Sequence, residues 1–148
     1  MLCPAHHRFD RAREGYLNLL PVQNKNSLDP GDDADMVAAR RAFLEAGYYT
    51  TFRDTLKGMI EPLNAGSLLD SGCGEGWYTQ TFREIASEVV ALDISKHAVK
   101  RAARRGADFT WLVASSNDIP LFANTMDVMV AIFSPVQVTE AARVLNEY

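Results

Sequence analysis

The second half of the chain alternates short apolar runs with segments of helical spacing. Four apolar runs read SLLD, EVVALD, FTWLVA and DVMVAIF, at residues 67–70, 88–93, 109–114 and 127–133. The segments between the first three have helical spacing and begin at Gly76 and Ser95. Strands that alternate with helices are typical of parallel sheets with crossover helices. We therefore predict an α/β fold with a doubly wound, mostly parallel sheet of about four strands.

Two helices are predicted before the first of these strands. MVAARRAFLEAGY, at residues 36–48, has helical spacing, and either Asp33 or Asp35 is placed to cap its start. A second helix is predicted over residues 51–63. Its apolar positions, at i, i+4, i+7, i+8 and i+11, are Phe52, Leu56, Met59, Ile60 and Leu63. That spacing predicts a single apolar face.

The first 25 residues have no sustained period. Gly15 and Pro21 interrupt the pattern, and the apolar segment YLNLLPV, at residues 16–22, predicts either a strand or an extended packing arm. The following stretch NKNSLDPGDDAD combines Asn, Ser, Pro, Gly and Asp, which is the composition of a loop.

Composition and charge exclude several classes of protein. With 47% hydrophobic and 23% charged residues in 148, the chain has the composition of one globular domain. No apolar run approaches the roughly 18 to 20 residues of a membrane span, so we expect a cytoplasmic protein without a membrane partner. Cys3 and Cys73 belong to no paired framework and predict no disulfide. The net charge of −4 disfavours bulk coating of nucleic acid but allows a local basic patch.

Three glycines follow the first predicted strand, at Gly72, Gly74 and Gly76. A strand, a glycine turn and a helix start leave backbone exposed to a polar ligand. The spacing G-x-G-x-G differs from the G-x-G-x-x-G of dinucleotide folds. Asp93 closes the second strand 21 residues after Gly72, where a carboxylate can accept hydrogen bonds from both hydroxyls of a ribose.

The acid before the glycines limits the kind of ligand that we expect. Asp70 suits a cationic group better than a phosphate chain, so we expect S-adenosylmethionine, which has a ribose, an adenine and an ammonium group. The DSGCGEG loop with the following ALD resembles the first two motifs of class I methyltransferases, which implies a Rossmann-like fold. Another nucleotide fold, or a pocket that has lost its ligand, is the alternative.

After the third strand, Ser115 is a candidate for contact with the adenine, and a plain polar loop is the other reading. Phe133 and Pro135, after the fourth strand, line either an acceptor pocket or ordinary core.

A longer match lies upstream. HRFDRAREGYLNLLPVQNKNSLDPGDDADMVAARRAFLEAGYY, at residues 7–49, is similar to the segment between zinc module and catalytic domain in bacterial 23S rRNA guanine-N1-methyltransferases of the RlmA type. The resemblance continues through GCGEGWYT, LDIS and VASS. It implies methyl transfer from S-adenosylmethionine to guanine N1 in a 23S rRNA hairpin, with cofactor contacts at Tyr49, Tyr78 and Thr79. The sequence identifies no catalytic base. A small-molecule methyltransferase and a non-catalytic cofactor-binding protein are the alternatives.

Both ends depart from the family pattern. The family's zinc module uses a Cys-x-x-Cys pair and then Cys-x-x-x-His, whereas CPAHH offers only Cys3 and His7, with His6 beside them. Two or three ligands do not close a tetrahedral structural site, so we expect a zinc-module remnant at residues 1–25 and a methyltransferase domain at 26–148. The chain ends after four of the usual seven strands. We therefore expect little methyltransferase activity, and self-association, as a homodimer or larger assembly, through the apolar edge at 127–133.

Overall fold

The computed structural model describes residues 8–24, 27–106 and 108–147. Its strands are β1 (Leu17–Asn18), β2 (Ser67–Ser71), β3 (Glu88–Asp93), β4 (Thr110–Val113) and β5 (Val128–Val130). Its helices are α1 (Ala34–Glu45), α2 (Thr50–Ile60), α3 (Thr79–Phe82), α4 (Lys96–Ala102) and α5 (Val138–Val144). Three short 3₁₀ turns lie at Val22–Asn24, Glu61–Leu63 and Ala103–Arg105. No helix in these ranges has both the length and the apolar character needed to cross a bilayer.

The strands form one parallel sheet in the order β1-β4-β3-β2-β5. The chain runs from β2 outward through β3 to β4 and then returns to the other side of β2 for β5. This reversal at β2 is a topological switch point, where open α/β sheets form a crevice at the carboxyl ends of their strands. The predicted doubly wound α/β class is confirmed.

For residues 16–22 the sequence allows either a strand or an extended packing arm. The YLNLLPV segment forms β1, which pairs with β4 through Leu17 beside Leu112 and Asn18 beside Val113. The predicted count of about four strands becomes five. The strand was hard to identify because only two of its residues join the ladder.

Both faces of the sheet are buried, as parallel sheets require. Leu68 and Leu69 are adjacent in β2, are both fully buried, and belong to opposite cores. One core includes Phe82 and Trp111, and the other includes Val144 from α5. The strands therefore read as continuous apolar runs rather than alternating ones.

Two predicted helix starts have different outcomes. Asp33 caps α1, because its side chain accepts a hydrogen bond from the Met36 N–H at 2.9 Å. By contrast, the helix predicted to begin at Gly76 begins only at Thr79. Gly76 has a φ of +78°, which a right-handed helix cannot contain.

The apolar face of α2 is only partly covered. Ile60 is buried as expected, but Phe52 and Met59 are 39% and 68% exposed. The helix is predicted to reach residue 63, but α2 ends at Ile60, and Leu63, which is 61% exposed, lies in the 3₁₀ turn that follows. Helical spacing predicts which residues share a face, but what covers that face depends on the tertiary structure.

The fourth predicted strand is shorter than expected. It was predicted over 127–133, but β5 contains only Val128–Val130. Phe133 has a φ of +54°, and Pro135 has no N–H, so the chain leaves the extended conformation before these residues. Self-association through this edge stays a prediction.

Gly76 gives a test of the packing below the loop. A Cβ at this position would lie 2.6 Å from Cη2 of Trp111. We expect Gly76→Ala to lower the free energy of unfolding by roughly 2 to 5 kcal/mol, the sum of overpacking and left-handed strain. Gly74→Ala is the matched control, because Gly74 also has a positive φ but no neighbour within 4 Å of a Cβ. It should lose only about 1 to 2 kcal/mol. Equal losses in denaturant unfolding would contradict the packing argument.

Candidate functional site

A cavity of about 360 Å³ lies at the carboxyl ends of β2, β3 and β5. It is lined by the glycine loop and the turn after it (Gly72, Cys73, Gly74, Glu75, Trp77, Tyr78), by Asp93, by α1 and the turn after it (Arg40, Phe43, Leu44, Tyr49), and by residues 132–135. This is the crevice that the switch point predicts. Its volume falls within the range of roughly 300 to 1,000 Å³ that is usual for small-ligand sites.

The glycine loop is fixed to the end of β3 through its backbone. The N–H groups of Gly72 and Cys73 both donate to the carbonyl oxygen of Leu92, at 2.8 and 2.9 Å. A Cβ on Gly72 would overlap the Ser134 hydroxyl, so the loop also packs closely against the segment after β5. Glycine is required here by this contact and by a φ of +80°.

Asp93 forms the second connection between the loop and β3. Its Oδ2 accepts a hydrogen bond from the Gly74 N–H at 2.9 Å, and its Oδ1 accepts one from the Ser95 N–H at 2.8 Å. Burial raises the pKa of the Asp93 carboxyl, and these two hydrogen bonds oppose that rise. Each carboxylate oxygen has two lone pairs, so Asp93 can still accept hydrogen bonds from a ligand in the cavity.

Asp70 lies behind the loop and does not line the cavity. It is 1% exposed, and Thr79, which is fully buried, donates its hydroxyl to Asp70 Oδ2 at 2.6 Å. Burial raises the pKa of Asp70 to about 7, against the opposing effect of the Thr79 hydrogen bond, and the charge of Asp93 raises it further. This pair connects the end of β2 to the start of α3, on either side of the loop.

The structure divides the predicted site residues into two groups. Five of them line the cavity: Tyr49, Gly72, Gly74, Tyr78 and Asp93. Four lie elsewhere: Asp70, Gly76, Thr79 and Ser115. Gly76 packs against Trp111, and the Ser115 hydroxyl accepts a hydrogen bond from the Asn117 N–H at 3.1 Å within its own loop. The four position the loop or its surroundings rather than contacting the cavity.

Glu75 is a cavity residue that the sequence did not single out. It is 5% exposed, and its Oε1 pairs with Nη2 of Arg105 at 2.8 Å. Within the described part of the chain, its Oε2 has no hydrogen-bond partner and lies 3.9 Å from Nε of Arg41. Burial raises the pKa of Glu75, while Arg105 and Arg41 oppose the rise. In the sequence, the one feature that could have indicated Glu75 as a cavity residue is its position inside the glycine motif.

Aromatic rings surround the mouth of the cavity. Phe133 is 76% exposed, and its ring centroid lies 5.9 Å from that of Tyr49 and 5.6 Å from that of Phe52. Phe52 also meets Tyr78 edge to face at 6.2 Å. The Tyr78 hydroxyl is buried without a hydrogen-bond partner among the described residues, and burial raises its pKa. We call Tyr49, Phe52, Tyr78 and Phe133 the aromatic rim.

The zinc ligands considered above cannot be placed. Cys3 and His7 lie outside the described residues. Within residues 8–24, 27–106 and 108–147, no three His, Cys, Asp or Glu side chains are grouped as a metal site would require.

Comparison with known proteins identifies the class. Residues 68–148 match the family described as "Methyltransferase domain", and residues 1–28 match the zinc-ribbon family described as "RlmA, N-terminal". The chain belongs to the methyltransferase-domain family, and its fold is the Rossmann-like fold of class I S-adenosylmethionine-dependent methyltransferases.

The relatives narrow the resemblance further. A Streptomyces fradiae protein, named a 23S rRNA (guanine(748)-N(1))-methyltransferase, is 35% identical over 97% of this chain and 53% of its own length. A Micromonospora griseorubida protein, provisionally named a 23S rRNA (guanine-N1)-methyltransferase, is 36% identical over 97% of this chain and 54% of its own. The resemblance to the RlmA type is therefore confirmed. The chain spans about half the length of the curated relatives it matches.

A solved structure supports the fold alone. The crystal structure of an S-adenosylmethionine-dependent methyltransferase from Aquifex aeolicus has a TM-score of 0.63 and 20% identity to this chain. The match covers 78% of this chain and 69% of the Aquifex chain.

Asp70 generates a prediction about pH. Its pKa is about 7 in the folded chain and about 3.9 when unfolded, so between these values only the folded state keeps the proton. The free energy of unfolding should therefore fall as pH rises from 5 to 7, by up to about 1.4 kcal/mol per unit. Asp70→Asn cannot ionise and should lose the contribution of Asp70, so its slope should be shallower than that of wild type, whereas Asp108→Asn, at an exposed carboxyl, should keep the full slope. Parallel profiles for wild type and Asp70→Asn in denaturant titrations would contradict the assignment.

Proposed function

We propose that this protein is an S-adenosylmethionine-dependent methyltransferase that binds its cofactor in the cavity and methylates N1 of a guanine in 23S rRNA. The observation that supports the cofactor assignment is the position of the Asp93 carboxylate, which lies on the cavity wall beside the glycine loop. A carboxylate in this position of a doubly wound fold binds the hydroxyls of a ribose.

The other polar groups of the cavity also suit this ligand. The Tyr78 hydroxyl and Oε2 of Glu75 have no hydrogen-bond partner among the described residues, and both residues line the cavity. Both atoms can accept hydrogen bonds, and S-adenosylmethionine has an ammonium group, an amine and two hydroxyls to donate. Tyr49, on the turn after α1, adds an aromatic ring to the cavity lining. The bound cofactor supplies an electrophilic methyl group on a sulfonium.

The substrate is proposed from the relatives and from the aromatic rim. A guanine in an RNA hairpin must leave its stack before its N1 can enter a cavity, and aromatic side chains can replace the lost stacking. Phe133 and Phe52 present exposed rings at the cavity mouth. A planar base stacked on the exposed face of Phe133 would be aligned with the cofactor site, and alignment supplies much of the rate in a displacement reaction. As the N1–methyl bond forms and the sulfonium–methyl bond breaks, the N1 proton passes to a protein base or to water, and hydrogen bonds to O6 stabilise the enolate-like form.

Further parts of the proposal follow from the same assignment. A 23S rRNA hairpin is the macromolecular partner, and the bacterial cytoplasm, where ribosomal RNA is made, is the compartment. Residues 1–25 belong to an N-terminal zinc-type module and residues 26–148 to the methyltransferase domain. The match of residues 1–28 to the zinc-ribbon family supports this division.

Two measurements on the same preparation test the function. Calorimetry with S-adenosylhomocysteine measures cofactor binding, and transfer of labelled methyl from S-adenosylmethionine to unmodified 23S rRNA measures the reaction. Binding together with N1-methylguanine in the digested RNA supports the proposal. Binding without transfer to RNA favours a small-molecule methyltransferase or a non-catalytic cofactor-binding protein.

Asp93 provides the test of the cofactor assignment. Asp93→Ala should weaken binding of S-adenosylhomocysteine by roughly tenfold to a hundredfold or more, because hydrogen bonds to a charged acceptor are lost. Asp108→Ala removes an exposed carboxylate away from the cavity and should bind as wild type does. Circular dichroism checks that both variants are folded. Unchanged affinity in a folded Asp93→Ala variant would remove Asp93 from the cofactor site.

Phe133 provides the test of the substrate assignment. Stacking of one base on an aromatic side chain contributes about 1 to 3 kcal/mol, so Phe133→Ala should weaken binding of a guanine-containing RNA hairpin about fivefold to a hundredfold. Phe122→Ala is the matched control, because Phe122 is 85% exposed and does not line the cavity. Fluorescence anisotropy with labelled RNA measures both. Equal affinities of the two variants would show that Phe133 does not contact the base.

A further inference from the structure

A second cavity, of about 330 Å³, is lined by four arginines. Arg41 comes from α1, Arg101 from α4, and Arg104 and Arg105 from the turn that follows α4. We call these four residues the arginine pocket. The chain as a whole carries a net charge of −4, so this concentration of positive charge is a local property and not a consequence of composition.

The carboxylates around the pocket neutralise only part of its charge. Arg41 pairs with Glu45 at 2.8 Å, and Arg105 pairs with Glu75 at 2.8 Å. Among the described residues, no carboxylate lies within 4.0 Å of the guanidinium nitrogens of Arg101 or Arg104. Two positive charges are therefore left in excess in a concave site.

Glu14 is an acid that interacts with Arg104. It pairs with Lys100 at 3.3 Å, and its pKa is lowered by a backbone hydrogen bond, by Lys100 and by Arg104. A carboxylate already paired with a lysine does not neutralise the pocket further.

Support of the buried Glu75 explains Arg105 and, at 3.9 Å, Arg41, but not Arg101 or Arg104. Arg105 donates Nη2 to the Glu75 carboxylate and Nε to the Glu75 carbonyl oxygen, at 2.8 and 2.7 Å. These two bonds stabilise the loop without any contribution from Arg101 or Arg104. A guanidinium without a carboxylate partner is suited to a phosphate, which it binds with two parallel hydrogen bonds.

The arginine pocket adjoins the cofactor cavity. Glu75 lines the cofactor cavity, and the same carboxylate pairs with Arg105 of the pocket. Glu75 therefore connects the two sites. When one base of a nucleic-acid strand lies at the cofactor cavity, the phosphates of that strand can reach the arginine pocket.

We propose that the arginine pocket binds a backbone phosphate of the RNA whose guanine lies at the aromatic rim, at the mouth of the cofactor cavity. The inference rests on the proposed function, because it takes the substrate to be RNA. Contacts to phosphate fix the position of a strand without reading its sequence. Arg101 and Arg104 are then positioning residues for the substrate and take no part in cofactor binding.

The test compares two double variants that remove the same charge. Arg101→Gln/Arg104→Gln removes the two arginines that lack carboxylate partners. Lys96→Gln/Arg83→Gln is the control, because neither residue lines the pocket. The probe is a fluorescently labelled RNA hairpin with an unpaired guanine, titrated at several salt concentrations, and S-adenosylhomocysteine binding is measured beside it.

The pocket variant should bind RNA about tenfold more weakly, as expected for the loss of two partly exposed ion pairs. Its plot of log affinity against log salt should be shallower by about 0.7 to 0.9, the contribution of the one phosphate contact that the pocket supplies. The same loss should occur with a hairpin of unrelated sequence, and S-adenosylhomocysteine should bind as it does to wild type.

Two other outcomes overturn the inference in distinguishable ways. If the pocket variant keeps the salt dependence and the affinity of the control variant while wild type binds RNA, the pocket is not a phosphate site and the proposed function stands. If wild type binds no RNA even at low salt, the proposed substrate and the pocket assignment fail together.

Discussion

The cavity depends on the way the end of β3 binds the glycine loop. The Leu92 carbonyl oxygen accepts the N–H groups of Gly72 and Cys73, and the Asp93 carboxylate accepts that of Gly74. In loops that bind phosphates, such N–H groups point at the ligand. Here they are directed at the protein, so the loop offers side chains and bare backbone to its ligand rather than an anion cradle. This agrees with a nucleoside ligand that lacks a phosphate chain.

Parts of the chain that are distant in sequence support the same loop. Asp70 and Thr79 bond behind it, and residues before α1 bond to Ser95, which donates its N–H to the Asp93 carboxylate that also holds Gly74. The Ser95 hydroxyl donates to the Asp32 carbonyl oxygen at 2.5 Å, and Gly31 packs so closely that a Cβ would lie 2.9 Å from the Ser95 Cβ. The stretch that resembles the family linker is therefore part of the wall of the site, not a tether between modules.

Patterns in the sequence predicted those features of the fold that interactions between neighbouring residues determine. The strands β2 and β3 have the predicted bounds within one residue, and Asp33 caps α1 as expected. The sequence also selected five residues that line the cavity. It did not predict the burial of Asp70 behind the loop or the pairing of Glu75 with Arg105, because both depend on contacts between segments far apart in the chain. The arginine pocket was missed for the same reason, since Arg41 and Arg101 meet only in the folded chain.

The packing of Gly72 against Ser134 joins the glycine loop to the segment 132–135, which lines the same cavity. These two positions must therefore change together during evolution: a larger side chain at either one needs compensation at the other. The same holds for chimaeras. Grafting residues 132–135 from another methyltransferase to alter its acceptor would also displace the cofactor loop, unless the graft keeps a residue as small as serine beside Gly72.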